Sequence, residues 1–251
     1  MMSAAKLAAV GNEKFLATLP ASSPCPRHPE ETRLRDDQQS CLQRRPVFLP
    51  CEICQREHQQ RREVERLQRM GVPLNLCRAT FESWRPADEQ SEANIARVRE
   101  FEKIRRGFLV LLGDLGTGKT HLAVAVLRSF KSGFFVKQSE LLRRLRQTYR
   151  DRAAIDPVDE AQGAACLVLD EVGMSAGGRD ELPLLHDVLD YRHGNMKPTI
   201  LTGNVTFDGL RAVIGERMAD RLRESAFDVL NFGGQSNRRE ARAKYFWQDD
   251  E

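Results

Sequence analysis

Two stretches of the chain carry the residue types of phosphate chemistry. Gly113-Asp-Leu-Gly-Thr-Gly-Lys-Thr120 fits the spacing G-x-x-x-x-G-K-[ST]. It follows the apolar run Phe108–Leu112 and precedes Leu122–Val126, so it lies between a strand and a helix, the setting in which the pattern has physical meaning. Gly113, Gly116 and Gly118, with Thr117 between the last two, let backbone N–H groups curl around a phosphate, and the helix start adds a partial positive charge. Lys119 would reach the β- and γ-phosphates, and the Thr120 hydroxyl would hold Mg²⁺. The second stretch, Ala164-Ala-Cys-Leu-Val-Leu-Asp170-Glu171, is an apolar strand ending in two carboxylates. Asp170 would hold the same Mg²⁺ through water, and Glu171 would act as general base on the attacking water. Pro198-Thr-Ile-Leu-Thr-Gly-Asn204 is another short apolar strand with a polar end. Strand ends on one edge of a parallel sheet share a site, so Thr202 and Asn204 could approach the γ-phosphate. The implied chemistry is hydrolysis of a nucleoside triphosphate, with ATP and Mg²⁺ as its ligands.

A second constellation suits metal. Cys25-Pro-Arg-His28 and Cys51-Glu-Ile-Cys54 are two C-x-x-ligand pairs separated by a polar loop. Each pair can sit on a tight knuckle, and together they close a tetrahedral Zn²⁺ site with no open position for catalysis. Cys41 or His58 could replace one of the four, and the alternative is a set of free thiols in an unstructured arm. So polar a segment cannot bury a core, so bound metal would supply its folding energy.

These groups need elements to hold them. The chain has 251 residues, 41% hydrophobic, enough for one sizeable α/β domain and a smaller module. We expect a flexible arm over 1–24, a zinc-knuckle module with a linker helix over 25–70, and an ATPase domain over 71–251. The net charge of +3 comes from 39 basic and 36 acidic residues, so any argument for nucleic acid must be local. No apolar run approaches a membrane span, and the opening residues lack a signal-peptide core, so the expected location is the cytoplasm and the expectation is no membrane partner. The six cysteines then read as ligands or core residues rather than disulfides, Cys166 being a core residue.

Glu52–Met70 contains no Gly or Pro and places Glu before Arg at i,i+4 several times. It reads as a solvated helix, either a spacer or a partner-binding element, and Gly71-Val-Pro73 ends it. A helix over roughly Asn94–Lys103 should pack beside the phosphate-loop strand. Gly133–Lys137 reads as a strand and Glu140–Arg152 as a helix with Leu141, Leu142, Leu145 and Tyr149 on one side. The other side carries Arg143, Arg144, Arg146 and Arg150, which with Lys137 form a basic stripe. Such a stripe is either a solvated face or a track for a phosphate backbone. Helices through Leu184–Arg192 and Gly215–Arg223, a strand at Val229–Phe232 and a final helix opening at Arg238 complete the reading.

The order of GTGKTHLA, LVLDEVG, PTILTGN and IGERMADRL followed by LNF, after Ala79-Thr-Phe81, resembles the DnaC-like helicase loaders, AAA+ P-loop ATPases with a parallel central sheet flanked by helices. The ATPase helpers of the IstB family share most of this part. The resemblance implies that Asn204 senses γ-phosphate, that Arg221 is an arginine finger for a neighbouring subunit's ATP with Arg217 as its substitute, and that Arg238 is a second sensor. It implies an ATP-dependent homo-oligomer that binds a replicative hexameric DNA helicase and places it on single-stranded DNA, with the basic helix as the strand's contact and the region after Gly71 bordering adenine. The alternative is a helper of a DNA transposase. The C-x-x-H…C-x-x-C knuckle resembles loader-type proteins of phages and prophages. Gly203, where many relatives have Ser, suggests a looser sensor strand, and Asp114-Leu115 adds an uncommon negative charge near the phosphates.

Overall fold

The computed structural model describes residues 27–28, 51–86, 88–148, 156–173 and 181–234. The expectations for 1–24, Cys25, Cys41, Tyr149, Arg150, the helix opening at Arg238 and the acidic end lie outside them. The chain divides into two compact units between Arg66 and Leu67. In the first, His28 stands by Cys51 and Cys54 at the start of α1 (Glu52–Arg69), where Arg27 pairs with Glu57 and Arg56 with Glu52.

The second unit is built on five parallel strands: β1 (Phe108–Gly113), β2 (Phe134–Lys137), β3 (Leu167–Asp170), β4 (Thr199–Gly203) and β5 (Ala226–Phe232), in the order β2-β3-β4-β1-β5. Parallel strands are covered on both faces, which is why β1, with a neighbour on each side, is an unbroken apolar run whose Phe108–Leu112 are fully buried. Five helices were expected in this unit's described part, and all five are present with shifted ends: α2 (Glu89–Ile104), α3 (Lys119–Leu127), α4 (Gln138–Thr148), α6 (Glu181–Gly194) and α8 (Glu216–Ser225). Two more, α5 (Pro157–Gly163) and α7 (Phe207–Ile214), were not foreseen. Both carry readable start signals, however. Asp156 caps α5 ahead of a first-turn proline, and Thr206 accepts from Gly209 N at the start of α7. α2 starts five residues earlier than expected because Asp88 accepts from Ser91 N at 2.7 Å. It packs on β5, the neighbour of β1, through Asn94 Nδ2 donating to Asn231 O at 2.7 Å.

The register aligns the carboxyl ends of all five strands. Leu112 stands beside Gly203, Gly113 beside Phe232, and Lys137 beside Asp170. The opposite side of the sheet is bolted by Arg192 of α6. Its fully buried guanidinium donates to Thr199 Oγ1 at 2.7 Å, Pro198 O at 2.6 Å, and the carbonyls of Ala161, Gln162 and Ala164 at 2.8 to 3.2 Å. Burial pushes its pKa down to about 10, so it stays charged at neutral pH. Cys166 is a core residue as expected, fully buried, and burial pushes its thiol up to about 12.

Gly203 does not loosen β4. A Cβ there would lie 2.9 Å from Val172 O and 3.3 Å from Leu112 Cδ2. The strand is tight at this point, and the missing side chain makes room for the Val172 carbonyl.

Candidate nucleotide site and metal cluster

At the carboxyl edge of the sheet, Gly113–Thr120 turns from β1 into α3. Gly113, Gly116 and Gly118 all take positive φ, which L side chains adopt at a cost. Lys119 is 5% exposed. Its Nζ donates to Gly113 O at 3.0 Å, Asp114 O at 2.5 Å and Thr117 Oγ1 at 3.3 Å. Thr117 Oγ1 also donates to Asp114 O at 2.9 Å. The lysine thus lies inside the loop, at the place where the pattern puts the phosphates.

Thr120 Oγ1 donates to Asp170 Oδ1 at 2.8 Å, and Thr202 Oγ1 donates to the same oxygen at 2.5 Å. Asp170 is 2% exposed. A hard cation takes oxygen ligands and keeps several waters, and a buried carboxylate beside a threonine hydroxyl at the head of α3 fits Mg²⁺. When bound, Mg²⁺ would neutralise charge developing on the phosphates. Thr202 was expected near the γ-phosphate. Its hydroxyl bridges Asp170 and the backbone of Glu171 on that same edge, donating to Asp170 while accepting from Glu171 N at 3.2 Å. Asn204 is half-buried directly after β4, on the same edge.

Glu171 is one of three non-glycine residues with positive φ among those described, at φ 57°. This turns its side chain away from the run of β3. Its carboxylate accepts from Lys137 Nζ at 2.9 Å. Nothing along either strand announces that ion pair, since alternation along a strand does not say which neighbouring strand's end it meets.

Residues before β1 brace the loop. Trp84 is 6% exposed, meets Phe232 edge-on at 6.3 Å between centroids, and has its Nε1 unpartnered beside Gly118. His121, next to Thr120, lies with Nε2 2.8 Å from Thr80 O and 3.1 Å from Ser83 Oγ. Burial holds its pKa below the usual histidine value. Both residues escaped the sequence reading. Trp84 belongs to no motif of its own, and a single histidine after the loop has no spacing to interpret.

The basic stripe is largely partnered within the chain. Lys137 pairs with Glu171, Arg143 with Glu140, and Arg144 with Glu160 while lying over the Phe134 ring. Arg146 is exposed, and Arg150 lies outside the described residues. On α8, Arg217 is exposed and Arg221 pairs with Asp190 of α6 in the same chain.

In the first unit, Cys51 Sγ and Cys54 Sγ lie 3.7 and 3.4 Å from His28 Nδ1, and the three ligand atoms all fall within 4.8 Å of one another. Zinc bonds of about 2.3 Å to sulfur and about 2.0–2.1 Å to nitrogen at a tetrahedral angle separate such atoms by about 3.5 Å. The spacing and the donor set fit zinc, with Cys25 the expected fourth ligand.

The sequence pattern of the family described as IstB-like ATP binding protein matches residues 28–245. The chain is 23% identical over 195 residues to the replicative helicase loader DnaC of Escherichia coli K12, covering 73% of this chain and 80% of that one. It is 24% identical over 194 residues to the uncharacterized protein YdaV of the same organism, covering 74% and 78%. Among solved structures, the DnaC helicase loader superposes with a TM-score of 0.57 at 23% identity, covering 63% of this chain and 98% of that one. DnaI superposes at 0.56 and 22%, covering 65% and 95%, and AMPPCP-bound DnaA from Aquifex aeolicus at 0.55 and 16%, covering 66% and 54%. These likenesses show that the α/β fold, with its five-stranded parallel sheet flanked by helices, is shared with DnaC, DnaI and DnaA.

Proposed function

Since the chain belongs to the family of IstB-like ATP-binding proteins, we propose that it hydrolyses ATP to control the loading of a replicative DNA helicase onto single-stranded DNA. The observation that carries the ATPase part is the convergence of Thr120 and Thr202 on one oxygen of Asp170, beneath the loop that holds Lys119. The loop N–H groups and Lys119 hold the phosphates, and Thr120 and Asp170 hold Mg²⁺. Glu171 takes a proton from the water whose oxygen bonds to the γ-phosphorus as the bond to ADP breaks. Asn204 senses the γ-phosphate, and Arg238 does so within the same subunit.

Similarity to DnaC across most of both chains supports the loader reading. ATP binding lets subunits stack as a homo-oligomer, and Arg221, or Arg217 in its place, completes the neighbour's site. A finger supplied in trans is worth about 10³–10⁵ in turnover, so the isolated subunit is a slow ATPase. The zinc module, held by Cys25, His28, Cys51 and Cys54, grips the helicase. Basic residues of α4 follow the single strand. The proposed setting is the cytoplasm. No described helix is long and apolar enough to cross a membrane, and no membrane partner is proposed.

The test is purification with a candidate hexameric helicase in ATP, sizing of the complex, and hydrolysis with and without single-stranded DNA. A sized complex that requires ATP supports the loader. Capture of a transposase instead of a helicase, with duplex rather than single-stranded DNA stimulating hydrolysis, would favour the IstB-like helper. Metal analysis should find about one equivalent of zinc, and its absence from purified, folded protein would remove the zinc module.

A further inference from the structure

Cations without an acidic partner gather at the edge of the sheet opposite the nucleotide loop. The connections that enter β1, β2, β3 and β4 are residues 105–107, 128–133, 164–166 and 195–198, and they contain five basic residues and no acidic one. Arg128 turns inward, donating to Cys77 O at 2.8 Å. Of the other four, Arg105 donates to the carbonyls of Glu102 and Ser129, Lys197 donates to those of Gln162 and Gly163, and Arg106 and Lys131 are exposed. None of these four forms an ion pair among the described residues. Lys103, also exposed, precedes them in the last turn of α2. By contrast, Lys137, Arg143 and Arg144 each already hold a carboxylate. Three of the five large apolar side chains that stand exposed among the described residues lie at this same amino edge: Ile104, Tyr191 and Met196. Gly107 N donates to Met196 O at 3.3 Å, which ties the entry of β1 to that of β4. Lys197 Nζ stands 5.4 Å from the centroid of the Tyr191 ring, and Tyr191 is still 44% exposed.

A cation that meets a nucleic-acid phosphate releases a condensed counterion, and this drives binding. One that already holds a carboxylate must first give it up. Exposed apolar groups rimmed by charge mark an interaction surface, and an exposed ring among cations offers a face on which an unpaired base stacks. We propose that the amino edge of the sheet is a seat for single-stranded nucleic acid. Lys103, Arg106 and Lys131 hold backbone phosphates, one base stacks on Tyr191, and Ile104 and Met196 give its neighbours apolar contact. The amino ends of β2 and β1 are three places apart in the sheet, so at about 4.8 Å per place the row of charge is about 14 Å long. The seat lies at the far end of the strands from Lys119 and Asp170, and it binds without touching the reacting atoms. The inference rests on the single-strand part of the reading above. It adds a contact separate from α4, made by cations that need no release from an acid.

The experiment titrates a fluorescent dT oligonucleotide with the full chain over a series of salt concentrations, reading anisotropy, with and without a non-hydrolysable ATP analogue. The proteins are wild type, the double variant Arg106→Ala with Lys131→Ala, Tyr191→Ala and Tyr191→Phe. Each phosphate contact on a single strand contributes about 0.7 to the slope of log affinity against log salt, so the double variant should lose about 1.4 of slope and about 25-fold in affinity at about 0.1 M salt. Tyr191→Ala should lose about tenfold with the slope unchanged, and Tyr191→Phe, which keeps the ring, should bind as the wild type does. A double variant that keeps the wild-type affinity and slope overturns the seat. Wild-type affinity in Tyr191→Ala overturns the stacked base. If the variants bind the oligonucleotide normally but lose a candidate helicase that the wild type retains, the edge is a protein seat and the proposal falls. If the wild type binds no oligonucleotide with or without the analogue, the single-strand reading itself falls, and the seat with it. Thermal melts verify folding. Should Tyr191→Ala not fold, Tyr191→Leu, which keeps apolar bulk without a ring, is read by the same criteria.

Discussion

A Cβ on Gly118 would lie 2.3 Å from Nε1 of Trp84, so the indole edge occupies the space that any side chain at the loop's last glycine would need. Gly118 also takes φ +90°. Gly118→Ala is therefore blocked twice, by strain and by the ring, and Trp84→Phe removes only the second obstacle. The double variant should bind ATP no better than Gly118→Ala alone. Trp84→Ala should destabilise the second unit by about 3–5 kcal/mol through loss of a buried aromatic. Trp84→Phe should cost less, because it also removes a buried unpartnered N–H whose burial carries a penalty of about 1–3 kcal/mol. Chemical melts of the three proteins check the order. A Trp84→Phe protein as unstable as Trp84→Ala would show that the indole nitrogen finds a partner.

Thr202 joins the two acids, donating to Asp170 at 2.5 Å and accepting from Glu171 N at 3.2 Å. Valine at 202 keeps the shape and the strand preference while removing both bonds. Loss of the bond to the buried Asp170 carboxylate alone is worth about 1.5–3 kcal/mol. Thr202→Val should lower kcat about 10- to 100-fold, by analogy with tenfold for each 1.36 kcal/mol. Since the hydrogen bonds described for Thr202 go to Asp170 and Glu171 N and none to Lys119, ATP affinity should change little, as measured by fluorescent-nucleotide titration.

His121 gives the nucleotide site a pH response. Burial, the largest cause, lowers its pKa from the ordinary 6.5, while the bond to Thr80 O opposes the shift. The unfolded chain then binds the proton more readily than the folded one, so stability rises with pH between the lowered pKa and 6.5. Above that window the contribution is fully present, and on acidification through it the contribution is lost. Thermal melts from about pH 7.5 to about pH 5 should show a decline that His121→Gln flattens. Because His121 adjoins Thr120 and anchors Thr80 and Ser83, ATP affinity should weaken over the same range.

Much of this architecture was legible before any coordinates. Phe108–Leu112, Leu167–Asp170 and Thr199–Gly203 announce themselves because buried parallel strands are nearly pure hydrophobic runs. The loop glycines and Lys119 announce themselves because backbone wrapping of phosphate permits few alternatives. What escaped depends on which strand ends become neighbours. Nothing local to Lys137 points to Glu171, and nothing local to Trp84 points to Gly118. Both pairs arise from the order β2-β3-β4-β1-β5 and from chain that precedes β1 returning to the loop. Arg192 was not singled out, for a similar reason. On a helix its charge suggests solvent, yet it is fully buried, because carbonyls from α5, from the turn before β3 and from the residue before β4 meet there.

The assignment of the finger can be tested by mixing two defective proteins. Arg221 pairs with Asp190 on α6 of its own chain, whereas Arg217, four residues earlier on α8, is exposed. If Arg221 acts on a neighbour, stacking must draw it from Asp190, and Asp190→Asn should then ease assembly and lift hydrolysis at low protein concentration. Glu171→Gln lacks the base but keeps the finger, and Arg221→Ala keeps the base but lacks the finger. Each alone should be nearly inactive, and equimolar mixing should restore a rate well above the sum, since a mixed interface can unite one intact base with one intact finger. The in-trans gain of about 10³–10⁵ leaves ample range to detect it. Restoration by Arg217→Ala in the same mixture, with Arg221→Ala active on its own, would assign the finger to Arg217. Failure of both mixtures, with assembly intact by light scattering, would mean that neither arginine acts across the interface.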